Sequence, residues 1–165
     1  MLNNTLNTLK VATLFVSFAF FSCKTASPES VKTGDSQNQI TISKNLKWSD
    51  KMALTLMKRH PESWQIDDAK APKWDYVHGL VLYAFQELNK TNPDARYSAY
   101  IQGYLDTLIQ NDGTIKTYEI EKHNIDMIVA GRLLFNAYDK TKEDKYLKAM
   151  QLLRQQLREQ PRTQS

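Results

Sequence analysis

From Trp48 onward, apolar positions recur with the period of a helix. In "WSDKMALTLMKRH" they fall at 48, 52, 53, 56 and 57, one stripe with charges opposite, and Pro61 closes the segment. "DYVHGLVLYAFQELNKT" carries a wide apolar face from Tyr76 to Leu88. Beyond it, Asn92 is placed to cap and Pro93 to open the next helix, "DARYSAYIQGYLDTLI". "NDG" at 111–113 predicts a turn, and the "TIKTY" after it is short, alternating and β-branched. A helix from about Asn124 to Lys140 follows, then a last one over "EDKYLKAMQLLRQQLRE" that stops at Pro161.

Two of these stretches share a plan. The segments beginning at Gly79 and Gly131 both read Gly, apolar helix, Lys-Thr, short acidic turn, basic-Tyr, apolar helix, which sets Tyr97 and Tyr146 49 residues apart. Such a period predicts stacked helical hairpins, as in an open solenoid or a closed α/α toroid. The pattern amounts to about two and a half hairpins, too few to close a ring. The last helix carries Leu147, Met150, Leu153 and Leu157, a face that calls for a partner outside the chain, so the fold class expected from the pattern is all-α, helical hairpins forming an incomplete domain.

The N-terminal third differs in kind. Residues 11–21, "VATLFVSFAFF", follow Lys10 and precede Ser22 and Cys23, the layout of a secretory signal too short for a permanent span. Cys23 is the single cysteine, so it has no internal disulfide partner, and its position resembles a bacterial lipobox whose cysteine is lipidated. Residues 24–44 are polar and cannot bury enough surface to order themselves. The organisation expected is a lipoprotein-type signal at 1–22, a disordered tether at 23–45 and a folded portion at 46–165. This implies a bacterial cell-envelope protein, periplasmic or on the outer membrane, touching the membrane through a lipid anchor only.

Charge narrows the function. The 165 residues hold 22 Lys+Arg against 18 Asp+Glu, spread along mixed-sign helices with no basic block, which argues against nucleic acid as a partner. His60, His78 and His123 lack metal-binding spacing, and there is no P-loop, G-x-S-x-G elbow or dinucleotide glycine set. Carboxylates, His, Tyr and Trp remain as chemical groups, and no metal or cofactor is implied.

Asp126, in "KHNIDMIVAGRLLFNAY", has a structural explanation and a functional one. With Asn124 as cap it falls in the first helical turn, where a negative charge is stabilised by roughly 0.3–1 kcal/mol. If it is catalytic, the same field favours its ionised form. Trp74, Tyr76 and His78 alternate in "KWDYVHG": either the wall of a helix-entry loop, or an aromatic lining for a ring-shaped ligand. Gly79 and Gly131 read as close helix contacts.

Together, "SDKMALTLMKRHPES", "KWDYVHGLVLYAFQEL", "DGTIKTYEIEKHNIDMIVAGRLLFNAYDKTKEDKY" and "LRQQLREQPRT" resemble successive segments of glycoside hydrolase family 105, the unsaturated rhamnogalacturonyl hydrolases. The resemblance runs from Trp48 to Thr163. It implies an (α/α)6 toroid, incomplete here with these hairpins forming part of it, that hydrates the C4=C5 double bond of an unsaturated uronic acid at the end of a pectin-derived oligosaccharide. By motif it implies that Asp126 is one of two active-site carboxylates and that Trp74 and Tyr76 line the sugar subsite; His78 and His123 are not implied to be catalytic. The family's later Trp-Leu-Asp-Gly motif, which bears the principal acid/base, is not in this sequence, so this chain made alone is expected to be an inactive fragment. The competing reading is a surface-tethered helical-repeat module that binds glycan or protein without catalysis.

Overall fold

The computed structural model describes residues 40–162; the expected signal, Cys23 and most of the tether lie outside them. Five α-helices occur among the described residues: α1 (Trp48–Arg59), α2 (Tyr76–Thr91), α3 (Ala95–Leu108), α4 (Arg132–Thr141) and α5 (Asp144–Glu159). Three 3-10 turns, Ser63–Asp68, Ile120–Lys122 and Ile125–Gly131, link them. The "NDG" turn brings Ile109 opposite Ile115 in one antiparallel bridge, and no longer strand forms among the described residues. The all-α expectation therefore holds.

Local chemistry accounts for the boundaries and for three departures from the sequence pattern. The cap of α3 is Asp94 rather than Asn92: its carboxylate accepts the Arg96 N–H at 2.9 Å and pairs with the Arg96 guanidinium at 2.6 Å. Asn92 instead closes α2 and spends its amide on Asp50 at 2.8 Å and on the Lys47 ammonium at 3.1 Å. The stripe on α1 is rotated from the one expected. Asp50, Ala53, Leu54 and Met57 face inward, while Trp48 and Met52 are 79% and 71% exposed. The Tyr97 hydroxyl donates to Asp50 at 2.9 Å and with Asn92 satisfies its carboxylate, which lets that face turn in.

The third departure lies in the helix expected from Asn124 to Lys140, which is wound as a 3-10 turn through Gly131 and as α4 only from Arg132. Here the Trp74 indole N–H donates to the Met127 carbonyl at 2.8 Å, a side chain inserted into the helical ladder.

The hairpins α2/α3 and α4/α5 match the two repeats. Their first helices lie side by side and run the same way: Trp74 meets Met127, Gly79 meets Ala130, and the Arg132 guanidinium lies 3.7 Å from the centre of the Tyr83 ring. The repeated tyrosines do equivalent work. Tyr97 bonds Asp50 on α1, and Tyr146 bonds Asp106 on α3 at 3.3 Å, so each ties its own helix to the helix that closes the preceding unit. Both side chains are almost fully buried, and the core between them is filled by Leu82, Leu105, Leu133, Leu134 and Leu153. On α5 the covered face is Tyr146, Ala149, Leu153 and Gln156, whereas Leu157 of the expected stripe is 42% exposed.

Two glycines separate packing from backbone effects. A Cβ on Gly79 would sit 2.5 Å from the Ala130 Cα, against main chain that cannot step aside. A Cβ on Gly103, within α3, would meet the Ser63 hydroxyl at 3.6 Å, an ordinary contact. Gly79→Ala is expected to lower stability by about 1–3 kcal/mol, and Gly103→Ala to raise it by about 0.4–1 kcal/mol, both read from urea-unfolding midpoints.

Candidate functional site

Because α2 and the 125–131 turn start at the same end of the parallel pair, that end gathers the residues singled out from the sequence. Asp126 is exposed on the first turn. The Asn124 side chain, as expected, performs the capping: its oxygen accepts the Asp126 backbone N–H at 3.0 Å. No hydrogen bond or ion pair among the described residues engages the Asp126 carboxylate.

Three side chains, two from α5 and its C-cap and one from the start of α2, hold the backbone beneath it. The buried Gln156 amide of α5 donates to the Asn124 carbonyl at 3.1 Å and accepts the Tyr118 hydroxyl at 2.6 Å. One turn later, Gln160 donates to the His123 carbonyl at 3.0 Å. From α2's side, Trp74 secures Met127. Gln156 is fully buried, and its role was missed because a glutamine in "LLRQQLRE" reads as surface.

The structure corrects the expectation for Trp74. Its ring is 0% exposed, stacked 5.8 Å from the Tyr104 ring, and its backbone N–H donates to Thr117 at 2.8 Å, so no face is open to a sugar. Trp74 builds the floor of this end rather than its lining. Tyr76, two residues on, is 49% exposed and keeps a free face.

Between them Asp75 carries a network that the sequence reading overlooked. As the N-cap of α2 its carboxylate accepts the His78 backbone N–H at 3.0 Å, lies 2.6 Å from His78 Nδ1, and pairs with the Lys73 ammonium at 2.9 Å. Burial pushes the Asp75 carboxyl up, but the His78 backbone N–H, Lys73 and the His78 ring outweigh it and hold the group below the usual carboxylate range. The available signal was Asp-x-x-His at a helix start.

Backbone strain gathers here too. Asp67, Asp68, Thr117 and His123 all have left-handed φ, from 46° to 64°, in the loops that adjoin Lys73, Trp74 and Asn124. Such conformations cost about 1–3 kcal/mol each for residues other than glycine and concentrate at functional sites. In addition, His123 Nδ1 is buried without a protein partner. A groove of about 500 Å³ lies elsewhere, between the later turns of α2 and α4 and the middle of α3, and none of the expected site residues lines it.

The family model for glycosyl hydrolase family 88 matches residues 48–165. The chain belongs to this glycoside hydrolase family. Among solved structures, the chain is similar to a Clostridium acetobutylicum (C. acetobutylicum ATCC 824) glycoside hydrolase from family 105, with 31% identity and a TM-score of 0.63. That match covers 72% of this chain and 31% of the other, so the chain spans about a third of its neighbour's length. Family 88 membership and the family 105 neighbour bear out the resemblance and its helical-hairpin fold.

The depressed Asp75 carboxyl sets a pH dependence. Its contribution to stability is complete above the ordinary aspartate value of 3.8 and is lost as pH falls through the lower folded-state value. Asp75→Asn should therefore lower the urea midpoint at neutral pH and leave the variant less sensitive than the parent to acid below pH 3.8, as followed by circular dichroism.

Proposed function

We propose that the end of the hairpin pair bearing Asp126 and Tyr76 is part of the active site of a hydrolase for unsaturated uronyl oligosaccharides of the rhamnogalacturonan type. The observation that carries the reading is the Asp126 carboxylate, exposed and unpaired on a backbone held by three side chains, in the family's "NID" motif. Tyr76 offers its exposed face to the sugar ring. Lipidation at Cys23 would hold the protein at a bacterial cell envelope, where such oligosaccharides arrive from outside.

In the proposed reaction a proton adds to C4 of the enol ether and positive charge develops at C5 beside the ring oxygen. Water attacks C5 as it gives up a proton to a carboxylate. The resulting hemiketal opens and releases the neighbouring sugar. Asp126 is suited to the water, because a free exposed carboxylate can accept its proton. The acid that protonates C4 is assigned by resemblance to the Trp-Leu-Asp-Gly motif, which this sequence does not contain.

Binding of an unsaturated rhamnogalacturonan disaccharide is to be measured by calorimetry on the chain itself. Turnover is to be followed as loss of C4=C5 ultraviolet absorbance with the chain joined to a C-terminal segment bearing that motif. Asp126→Asn is expected to keep affinity within a few-fold and to lower turnover by about 10²–10⁴; undiminished turnover sinks the assignment. Tyr76→Ala is expected to weaken binding by about 1 kcal/mol. Binding by the chain with no turnover in the joined protein would favour the module.

A further inference from the structure

His78 is a buried titratable group that the proposed reaction does not use. Its ring is 0% exposed, so it cannot touch a substrate. Nδ1 lies 2.6 Å from Asp75 Oδ1, and Nε2 lies 2.9 Å from the Trp64 carbonyl oxygen. We propose that His78 is a positioning residue, an imidazolium that donates from both nitrogens and so locks the 63–68 turn to the start of α2, setting Tyr76 at the mouth.

A carbonyl oxygen only accepts. The Asp75 carboxylate already takes the Lys73 ammonium on Oδ2 and the His78 backbone N–H on Oδ1, which makes it an acceptor toward the ring as well. A neutral imidazole has one donor, and either tautomer would turn a bare lone pair on an oxygen inside the protein, at the cost of an unmade buried hydrogen bond. With a hydrogen on each nitrogen, both contacts are satisfied.

The surroundings fit a brace. The Tyr104 ring stacks on His78 at 5.2 Å, tilted by only 9°, and its hydroxyl donates to the Lys73 carbonyl at 2.9 Å. Lys73 in turn reaches Asp67 at 4.0 Å, so the charged groups around the ring are Asp75, Lys73 and, through Lys73, Asp67. Trp64 belongs to the turn that ends in the strained pair Asp67 and Asp68, and the His78 ring joins that turn to α2. On the far side Gly79 is seated against Ala130. Tyr76 thus projects from a helix start gripped on both flanks.

This inference rests on the proposed function only for the role of Tyr76. The test uses the full 165-residue chain with nitrogen-15 histidine and long-range proton–nitrogen correlation spectra at neutral pH. Both His78 ring nitrogens are expected at protonated-type shifts, and a single-tautomer pattern overturns the proposal. In His78→Gln the two amide hydrogens share one nitrogen and cannot span oxygens on opposite sides of a ring. Amide exchange at residues 63–68 and 75–79 should rise by about tenfold or more, with α4 and α5 unchanged; unaltered exchange at those residues also overturns it. If the variant does not fold, the parent spectrum still decides. Affinity for the unsaturated disaccharide should fall in the variant, as is expected for Tyr76→Ala. A parent chain that binds no disaccharide refutes the functional reading, while the ring spectrum and the exchange data continue to test the brace.

Discussion

The seam between α2 and the 125–131 turn is the contact on which the rest depends. Gly79 lets the two backbones approach so closely that a Cβ has no place, and the Trp74 indole spans the seam to the Met127 carbonyl a turn away. A glycine costs about 0.5–1 kcal/mol in a helix relative to alanine, so its presence mid-face marks an approach worth more than that. Close approach also explains why the polypeptide is wound tightly there: a 3-10 turn is slimmer than an α-helix, and the indole competes for one of its carbonyls. The result is that two helix starts from different hairpins open at the same end, with Tyr76 and Asp126 on neighbouring strokes.

The second organising device is a polar one. In each repeat a tyrosine near the start of the closing helix reaches back to an aspartate on the previous closing helix, Tyr97 to Asp50 and Tyr146 to Asp106. The two are not equally enclosed. Asp50 is 7% exposed and needs Asn92 as well, whereas the Asp106 side chain is 51% exposed and shares Lys145 and Gln102. A buried carboxylate must be fully hydrogen-bonded to be tolerated, and this requirement fixes the register of α1 against α3 more sharply than its leucines do. It also turns Trp48 and Met52 outward, since the face that carries Asp50 cannot face both ways.

Hairpin order, helix identity and the Gly79 and Gly131 contacts were legible in the sequence because they follow from apolar period and from repetition. What failed was whatever depended on a side chain choosing among several partners. Asn92 and Asp94 are both good caps, and only the fold shows that Asn92 is committed to Asp50 and Lys47. Trp74 and Tyr76 look alike as aromatics two residues apart, yet at a helix start Trp74 and His78 share the inward side, and Tyr76 faces out. Gln156 carries no sequence signal, because a buried amide bridging Asn124 and Tyr118 has the same letter as a solvated one. The Asp75 network was visible only as an Asp three residues before a His, a spacing that ordinary helix caps also produce.

The same distinction bears on Asp126. A negative residue in a first helical turn has an adequate structural reason to be there, and on sequence alone that reason competes with catalysis. In the folded chain the capping is done by the Asn124 side chain, to which Asp126 contributes only its backbone N–H, so its charge in the first turn is the structural reason that remains. Its carboxylate is left exposed on a segment pinned through its carbonyls by Trp74, Gln156 and Gln160, and bordered by the left-handed His123. A surface charge that merely favours a helix start needs no such support, since the dipole acts on it in any rotamer. Rigid backbone beneath a free functional group is what a reacting carboxylate requires, because small errors in its placement are costly to a proton transfer.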